Sequence, residues 1–538
     1  MTTPIITETP SPSQPDPKTL LKGLLKPDLR WSLISGLLMW LSHPAAGIWI
    51  LAWVGLFPLI ANVIEAKSFR QAFARGYLFS WCYFTPLCYW TGLTIVGWTG
   101  SSVGWAALFA LSILMAFYYG FWAGISWLVT RKLVGVWRIL SFACLWTIME
   151  FLRSLGTYTF PWGQIGYSQY KFLPLIQMAE VTGALGVSCL LAIVNASIAE
   201  WWVTRKDTRS RRWVIAVATM TGLLCLSGFA RILQIKDDQL ITVAIMQNNF
   251  ANKGPEDLSS KIQTYEALMQ AAFKTSLTPP QLSIWGETSA PGDAYNDSFP
   301  RNEMFRLAEL YRTPLFTGSN VVDRETQTDR NSALLFIPGS KMPQRYDKQA
   351  IVPFGEFIPF RNLFPPALQK QFQFFNTDLI PGSVSKTLDF VLSDGTQVRL
   401  GAMVCYESVY PHYARTMVNL GANLIVAPSN DQWFQTRAAM EQHLSIVVFR
   451  AIENRRDIAR ATTNGISCAI DGTGRVTNRA PFDTPTFQIS ALHLRSLKTI
   501  YARFGDWFVA LCLVLVIVAP FSPLWRDKVP KKGKAKRV

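Results

Sequence analysis

Histidine is scarce in this chain. Only four occur among 538 residues, His43, His412, His443 and His493; they are scattered, and no Cys/His ligand spacing points to a metal site. Charge is thin as well: 16% of residues are Asp, Glu, Lys or Arg against 50% hydrophobic, which sets the chain apart from purely soluble proteins. The shortage is concentrated, because Gly76 to Thr130 contains no charged residue at all. That stretch has room for two membrane spans of about 20 residues each. A cleavable signal peptide is also missing. The first apolar run follows a polar tail and is succeeded at once by another, so it reads as a retained anchor.

What charge there is leans basic, to a net +17. The basic residues cluster between hydrophobic runs and at the chain ends, and no aromatic-basic module accompanies them, so they argue for membrane topology and against nucleic acid. Lys18, Lys22, Lys26 and Arg30 precede the first run, and Lys67, Arg70 and Arg75 follow Trp31 to Ile64. Two clusters on one side require an even number of crossings, so that stretch must turn near Pro44 and Gly47 into short, tilted or partly re-entrant spans. Arg131, Lys132 and Arg138 close the next pair, and Arg205, Lys206, Arg209, Arg211 and Arg212 the third. Trp213 to Ala230 then leads out and Trp507 to Trp525 returns to a basic tail. The expected organisation is a disordered basic cytoplasmic tail over 1–30 and a membrane domain over 31–231 with about seven transmembrane helices. A soluble domain follows over 232–500, then a C-terminal transmembrane helix over 501–525 and a basic cytoplasmic tail over 526–538.

Six of the eight cysteines, Cys82, Cys88, Cys144, Cys189, Cys225 and Cys512, fall in or beside membrane segments, where a thiol serves as a small apolar filler. Cys405 and Cys468 lie outside. They either pair as a disulfide in an oxidising compartment or leave Cys405 as a reacting thiol.

The soluble stretch alternates strand-like and helix-like segments. Strands are expected at Leu240 to Met246, Gln281 to Trp285, Pro314 to Ser319, Ser332 to Ile337, Val398 to Val404, Ala422 to Ala427 and Ile458 to Ile470. Helices are expected at Leu258 to Lys274, Asn302 to Arg312, Pro411 to Leu420 and Arg437 to Asn454. The alternation gives an α/β domain with helix-covered sheets.

Three segments in that domain carry chemistry: Trp285-Gly-Glu-Thr-Ser-Ala-Pro291, Tyr346-Asp-Lys348 and Met403-Val-Cys-Tyr-Glu407. Cys405 follows an apolar strand and precedes a helix, so its thiol stands proud of a sheet near backbone amides able to hold an oxyanion. A thiol with a pKa of about 8.5 needs activation at neutral pH. Glu287 at the end of its own strand supplies a base and Lys348 a cation for the tetrahedral oxyanion, so the set works without histidine.

That order, with Val352-Pro-Phe-Gly-Glu-Phe-Ile-Pro359 between the lysine and the cysteine, resembles the nitrilase superfamily. The membrane half adds Trp146-Thr-Ile-Met-Glu-Phe-Leu-Arg153 and Phe160-Pro-Trp-Gly-Gln-Ile-Gly-Tyr-Ser-Gln169, which soluble amidases lack, and the whole resembles the apolipoprotein N-acyltransferase family from roughly Leu33 to Leu524. The chain departs from the family pattern in Gly286, where a proline is usual, and in its longer N-terminal tail.

The resemblance implies a polytopic α-helical membrane domain joined to a periplasmic nitrilase-like α/β domain, an α-β-β-α sandwich, in the bacterial inner membrane. It makes Glu356 an accessory glutamate and Glu407 the acid after the nucleophile. It places Tyr406 there too, and sets Ser429, Asn430 and Trp433 of Pro428-Ser-Asn-Asp-Gln-Trp-Phe434 at the border of the site. His443 and Arg450 to Asn454 match a family helix. It implies no cofactor, a phospholipid acyl donor, a thioacyl-cysteine intermediate, and a diacylglyceryl-modified apolipoprotein as acceptor through its α-amino group. Rival readings are a membrane-tethered amidase that passes the acyl group to water and a non-catalytic lipoprotein-binding protein.

Two further expectations concern local packing. Glu150 and Arg153, spaced i,i+3, suit an ion pair near the membrane surface. The aromatics Phe357, Phe360, Phe364, Phe372, Phe374 and Phe375 either pack under a loop or form a membrane-facing flap.

Overall fold

A computed structural model describes residues 27–156, 159–204, 207–235, 239–250, 258–363, 365, 366, 369 and 378–521. The tail expected over 1–30 lies outside the described residues as far as 26, as do the basic tail over 526–538 and Phe364, Phe372, Phe374 and Phe375 of the aromatic stretch. Pro27 to Arg30 correct the tail expectation: they open the first helix, α1 (Pro27–Ser42).

The uncharged and weakly charged runs all become helices. After α1 the chain turns at Pro44 and Gly47, the latter at φ +69, and continues into α2 (Phe57–Ile64), so the predicted reversal is real. There follow α3 (Phe69–Leu87), α4 (Tyr89–Thr99), α5 (Val103–Thr130), α6 (Val136–Leu152), α7 (Ala184–Val203) and α8 (Thr208–Leu233). Among the described residues α5, α7 and α8 are long and apolar enough to cross a membrane. The other crossings of an eight-span arrangement would fall to shorter or arginine-bearing helices such as α1 and α3. Small residues let helices touch: a Cβ on Gly76 of α3 would lie 2.6 Å from Ala123 Cβ of α5. α8 is the outlier, with only Ser210 and Gly228 buried and Leu223, Leu226, Phe229 and Leu233 exposed. An apolar face of that extent suits lipid, not water.

Glu150 and Arg153 are fully buried, and no direct ion pair joins them, contrary to expectation. Each instead holds the segment that follows α6. Glu150 Oε1 accepts from Ile165 N at 2.9 Å and from Trp146 Nε1, while Arg153 donates to Trp162 O at 3.2 Å. Phe160 to Gln169 is thereby strapped across the top of the bundle.

From Leu240 onward two six-stranded sheets form, in orders β12-β1-β2-β3-β4-β5 and β11-β10-β9-β8-β7-β6. Their plans match. Each has a parallel centre, β1 (Leu240–Gln247), β2 (Leu282–Ile284) and β3 (Leu315–Asp323) in one, and β7 (Gln397–Ala402), β8 (Leu424–Ser429) and β9 (Ile458–Thr462) in the other. Antiparallel strands flank them: β4 (Thr328–Phe336), β5 (Gln344–Asp347), β6 (Leu388–Val391), β10 (Cys468–Ile470), β11 (Val476–Thr477) and β12 (Thr486–His493).

Val243, Ile245, Leu282 and Ile284 of the first sheet share one core with Val398, Leu400, Val426 and Ala459 of the second. Alternate residues Ala244 and Met246 face outward onto α9 (Leu258–Thr275) and α10 (Ser298–Leu310). On the other side Met403, Ile425 and Ile458 meet α11 (Pro411–Asn419) and α12 (Arg437–Asn454). The layers run α-β-β-α, as expected. β1 and β8 are covered on both faces and read as near-continuous apolar runs, whereas β7 leaves Gln397 and Arg399 exposed.

The second helical layer does not face water. The core that buries α12 continues without a gap into the membrane helices, so both halves share it. Gln442 is the tie: its Oε1 accepts from Trp162 Nε1 at 2.7 Å and Trp90 Nε1 at 3.2 Å, and its Nε2 donates to the Leu87 and Pro44 carbonyls. Further along, Glu453 accepts from Ala184 N, and Glu180 binds both Arg455 and Arg231. The C-terminal span expected over 501–525 is two helices, α13 (Ile500–Phe504) and α14 (Trp507–Val518), broken at Gly505 with φ +61. α14 lies along α6, and Trp507 Nε1 donates to Val181 O at 2.8 Å.

Candidate active site

Ligand-facing residues of an open parallel sheet gather beyond the carboxyl ends of its strands, and here two such sheets bring their ends together. Glu287 lies just past β2, Cys405 past β7, Asn430 past β8 and Lys348 past β5. The turn after β2 needs space. Thr288 takes φ +47, and β3 passes so close that a Cβ on Gly318 would stand 2.8 Å from Glu287 Cα. Gly318 N also donates to Gly286 O at 3.0 Å.

Lys348 Nζ is the centre of the polar group, 1% exposed, donating to Glu356 Oε1 at 2.7 Å and Glu287 Oε1 at 3.1 Å. Glu287 is fixed from two more sides, by Asn331 Nδ2 on Oε1 at 2.7 Å and Asn430 N on Oε2 at 2.7 Å. Glu356 Oε2 accepts from Val352 N. Burial alone would strip the proton from Lys348, but the charges of Glu287 and Glu356 outweigh it and hold the amine above its ordinary range, so it stays a cation.

Cys405 sits in the left-handed region at φ +50, where a residue with a Cβ is strained, and its side chain is half-buried. A strained, accessible residue at a strand end is the geometry of a presented nucleophile. Burial and the Glu287 charge push its thiol up, against the Lys348 cation and a hydrogen bond with Ser429. Cys405 therefore rests as a thiol near the Lys348 cation. All eight cysteines are free, and Cys468 is buried within β10, which removes the disulfide alternative.

The accessory residues divide by what they touch. Glu407 is a clamp: Oε1 accepts from Tyr346 OH and Gln349 N, and Oε2 from Val404 N, each at 2.7 Å, so it ties the lysine loop to the cysteine loop. Burial raises its pKa to about 7 against those three donors. Ser429 donates to Asp431 Oδ1 at 2.7 Å, and Asn430 Oδ1 accepts from Thr463 Oγ1. Tyr406 packs edge-on to Tyr410. Trp433 stacks on Trp98 of α4, ring centres 4.2 Å apart, so it binds the segment after β8 to the membrane half.

Sequence reasoning did not single out Asn331, which joins both glutamates, or Tyr346 and Gln349 as the clamp's donors. Its strand opens on the polar run Thr328 to Ser332, so nothing in the sequence marked Asn331 out from its neighbours. Behind Cys405 lies a second group, Arg460 on Asp431 at 2.8 Å and Ser408 beside His443, of which Arg460 and Ser408 were not singled out. Asp431 is held well below the usual carboxylate range: burial would raise it, but Arg460 and then His443 and Ser429 prevail. Among the described residues no cluster of His, Cys, Asp and Glu is arranged to hold a metal.

Comparison with known proteins covers nearly the whole chain. A family model described as Apolipoprotein N-acyltransferase N-terminal domain matches residues 35–197, and one described as Carbon-nitrogen hydrolase matches residues 242–501. The apolipoprotein N-acyltransferase of Geobacter metallireducens is 30% identical over 499 residues, 90% of this chain and 93% of the relative. That of Gloeobacter violaceus is 27% identical, over 91% and 94%. Among solved structures, Saccharomyces cerevisiae Nit3, a member of branch 10 of the nitrilase superfamily, aligns at 17% identity and TM-score 0.37, covering 48% of this chain and 91% of that one.

Proposed function

The chain belongs to the apolipoprotein N-acyltransferase family, a membrane enzyme of lipoprotein N-acylation, and from that premise we propose that Cys405 carries the acyl group, with Glu287 as base and Lys348 as oxyanion cation. The observation that carries this is the buried Glu287–Lys348–Glu356 group set beside a half-buried thiol in strained backbone. In the first half-reaction Glu287 takes the thiol proton while sulfur attacks the ester carbon of a phospholipid. The S–C bond forms, the C–O bond breaks, and the lysophospholipid leaves with the proton from Glu287. In the second, the free α-amino group of a diacylglyceryl-cysteine attacks the thioester. The N–C bond forms, the C–S bond breaks, and the amine proton passes through Glu287 to the thiolate. Splitting an ester-to-amide transfer in this way replaces one difficult step by two easier ones.

Lys348 faces the position where negative charge develops, and a preorganised donor there is worth about 3 to 4 kcal/mol. Residues 232–500 form the catalytic domain, on the periplasmic side of the inner membrane in a multi-pass arrangement; the spacing of basic clusters supports that orientation. An amidase that passes its acyl group to water would share the triad, so the acceptor distinguishes the two. Intact-mass analysis of the protein incubated with phospholipid should show one acyl adduct, absent in Cys405→Ala, that is discharged as an amide when an N-terminal diacylglyceryl-cysteine peptide is added. Discharge to free fatty acid alone would favour the hydrolase.

A further inference from the structure

The nucleophile's own peptide plane is held by a chain of buried side chains that the triad does not include. Ser408 Oγ donates to Cys405 O at 2.7 Å and lies 2.7 Å from His443 Nε2. His443 Nδ1 lies 3.2 Å from Arg460 Nη2. Proton inventory settles the direction of the Ser408 bonds. The Cys405 carbonyl can only accept, so the Ser408 hydroxyl hydrogen goes to it and His443 Nε2 carries the proton that faces Oγ, while Nδ1 lies between Arg460 Nη2 and Asp431 Oδ1, the latter 3.6 Å away. Arg460 is itself fixed by both oxygens of Asp431, at 2.8 and 3.1 Å.

In a trans peptide the carbonyl and the following N–H point in opposite directions. Pinning Cys405 O from the His443 side therefore turns Tyr406 N–H the other way, and among the described residues that N–H has no hydrogen-bond partner. A left-handed residue such as Cys405 does not hold this orientation by intrinsic preference. Something must impose it.

The imposing group reaches into the membrane half. His443 packs against Trp162, ring centres 5.8 Å apart, and against Phe434 at 5.4 Å. Trp162 belongs to the strap after α6, with its indole N–H on Gln442 and its carbonyl held by Arg153. His443, Ser408, Arg460 and Trp162 are each buried, so no solvent competes for these bonds.

We propose that Ser408 and His443 are positioning residues that turn the Cys405–Tyr406 peptide so that its N–H, together with Lys348, meets the oxyanion of the acyl-transfer step, and that Trp162 of the membrane half holds them there. The proposal rests on Cys405 being the nucleophile. It gives the membrane half a part in the chemistry beyond anchoring.

The test separates oxyanion support from general disorder of the loop. Acylation by p-nitrophenyl butyrate, read as the burst of p-nitrophenol from the full-length protein in detergent, passes through an oxyanion. Alkylation of Cys405 by iodoacetamide, a displacement at a saturated carbon, does not. Ser408→Ala is expected to slow the burst about tenfold, with KM for the ester and the alkylation rate unchanged. Ser408→Thr keeps the hydroxyl and should stay near the parent rate. His443→Leu should match Ser408→Ala, while His443→Gln, whose amide N–H can replace the Nε2 proton, should recover most of the loss. Trp162→Phe should fall between. An unchanged burst in both Ser408→Ala and His443→Leu overturns the proposal, as does a parallel fall in burst and alkylation. A burst that survives Cys405→Ala overturns the nucleophile assignment itself and is distinguishable from either.

Discussion

At the scale of single residues, the buried ion group makes two predictions of opposite sign for one substitution. The Glu287 charge is one of the causes that raise the Cys405 thiol, so Glu287→Gln should lower the thiol pKa and speed alkylation by iodoacetamide at a fixed neutral pH. The same change removes the base and should slow acylation from a tagged phospholipid by about two orders of magnitude. In the parent protein, alkylation should climb with pH through neutrality to beyond about pH 8.5 with no earlier plateau, because a raised thiol pKa leaves little thiolate below it. A plateau near neutrality would contradict the thiol resting state. Lys348→Met should slow acylation about a hundredfold through the lost cation. It also leaves Glu287 and Glu356 buried without a counter-charge, which costs about 3 to 5 kcal/mol, so a lower unfolding temperature should accompany the lost rate. Doubling the substitution with Glu356→Gln should return part of the stability and none of the rate.

At the scale of elements, α12 carries the most consequence. Its bounds, Arg437 to Asn454, were legible from sequence to the residue. Its role was not, because Gln442, Arg450 and Glu453 look like a solvated face and are in fact buried against the membrane half. Gln442→Leu would strand the indole donors of Trp90 and Trp162, each unmet buried donor costing about 1 to 3 kcal/mol. Thermal unfolding in detergent should therefore begin several degrees lower, with tryptophan emission reporting the change; an unaltered transition would mean the ties are dispensable.

The central strands were legible for the same reason that the packing of α12 was not: composition records burial of apolar surface and is silent on buried polar partners. Leu240 to Met246 and Gln281 to Trp285 are strands within a residue or two of expectation. Ile458 to Ile470 read as one strand but is the hairpin of β9 and β10; the Asn464-Gly465 dipeptide in the buried return from Thr463 to Ser467 was the turn signal that divides it. β5, Gln344–Asp347, was passed over because its residues are polar and sit at a sheet edge. The strand-end placement of Glu287, Lys348 and Cys405 was legible in sequence, whereas Asn331 and the His443–Ser408 pair depend on contacts between segments far apart in sequence.

At the scale of the whole molecule, orientation is the first thing to measure. A periplasm-dependent reporter fused after Asp238 should be active, and fusions after Arg212 and Val538 silent; the reverse pattern would refute the eight-span arrangement. Residues 239–500 expressed alone should be insoluble, since they would expose the face of α12 that the membrane helices cover. Soluble, monomeric recovery of that fragment would show that the shared core is not needed for its folding.

The position of α14 bears on how the protein is made. A chain leaves the ribosome from its N-terminus, and domains tend to fold in that order. Here the helix that lies along α6 and bonds Val181 through Trp507 is the last element of the described chain. In that order the bundle keeps the side along α6 open until residues 239–500 have been synthesised and α14 reaches it. A nascent chain stalled before Trp507 would thus hold a folded α/β domain on an unfinished platform.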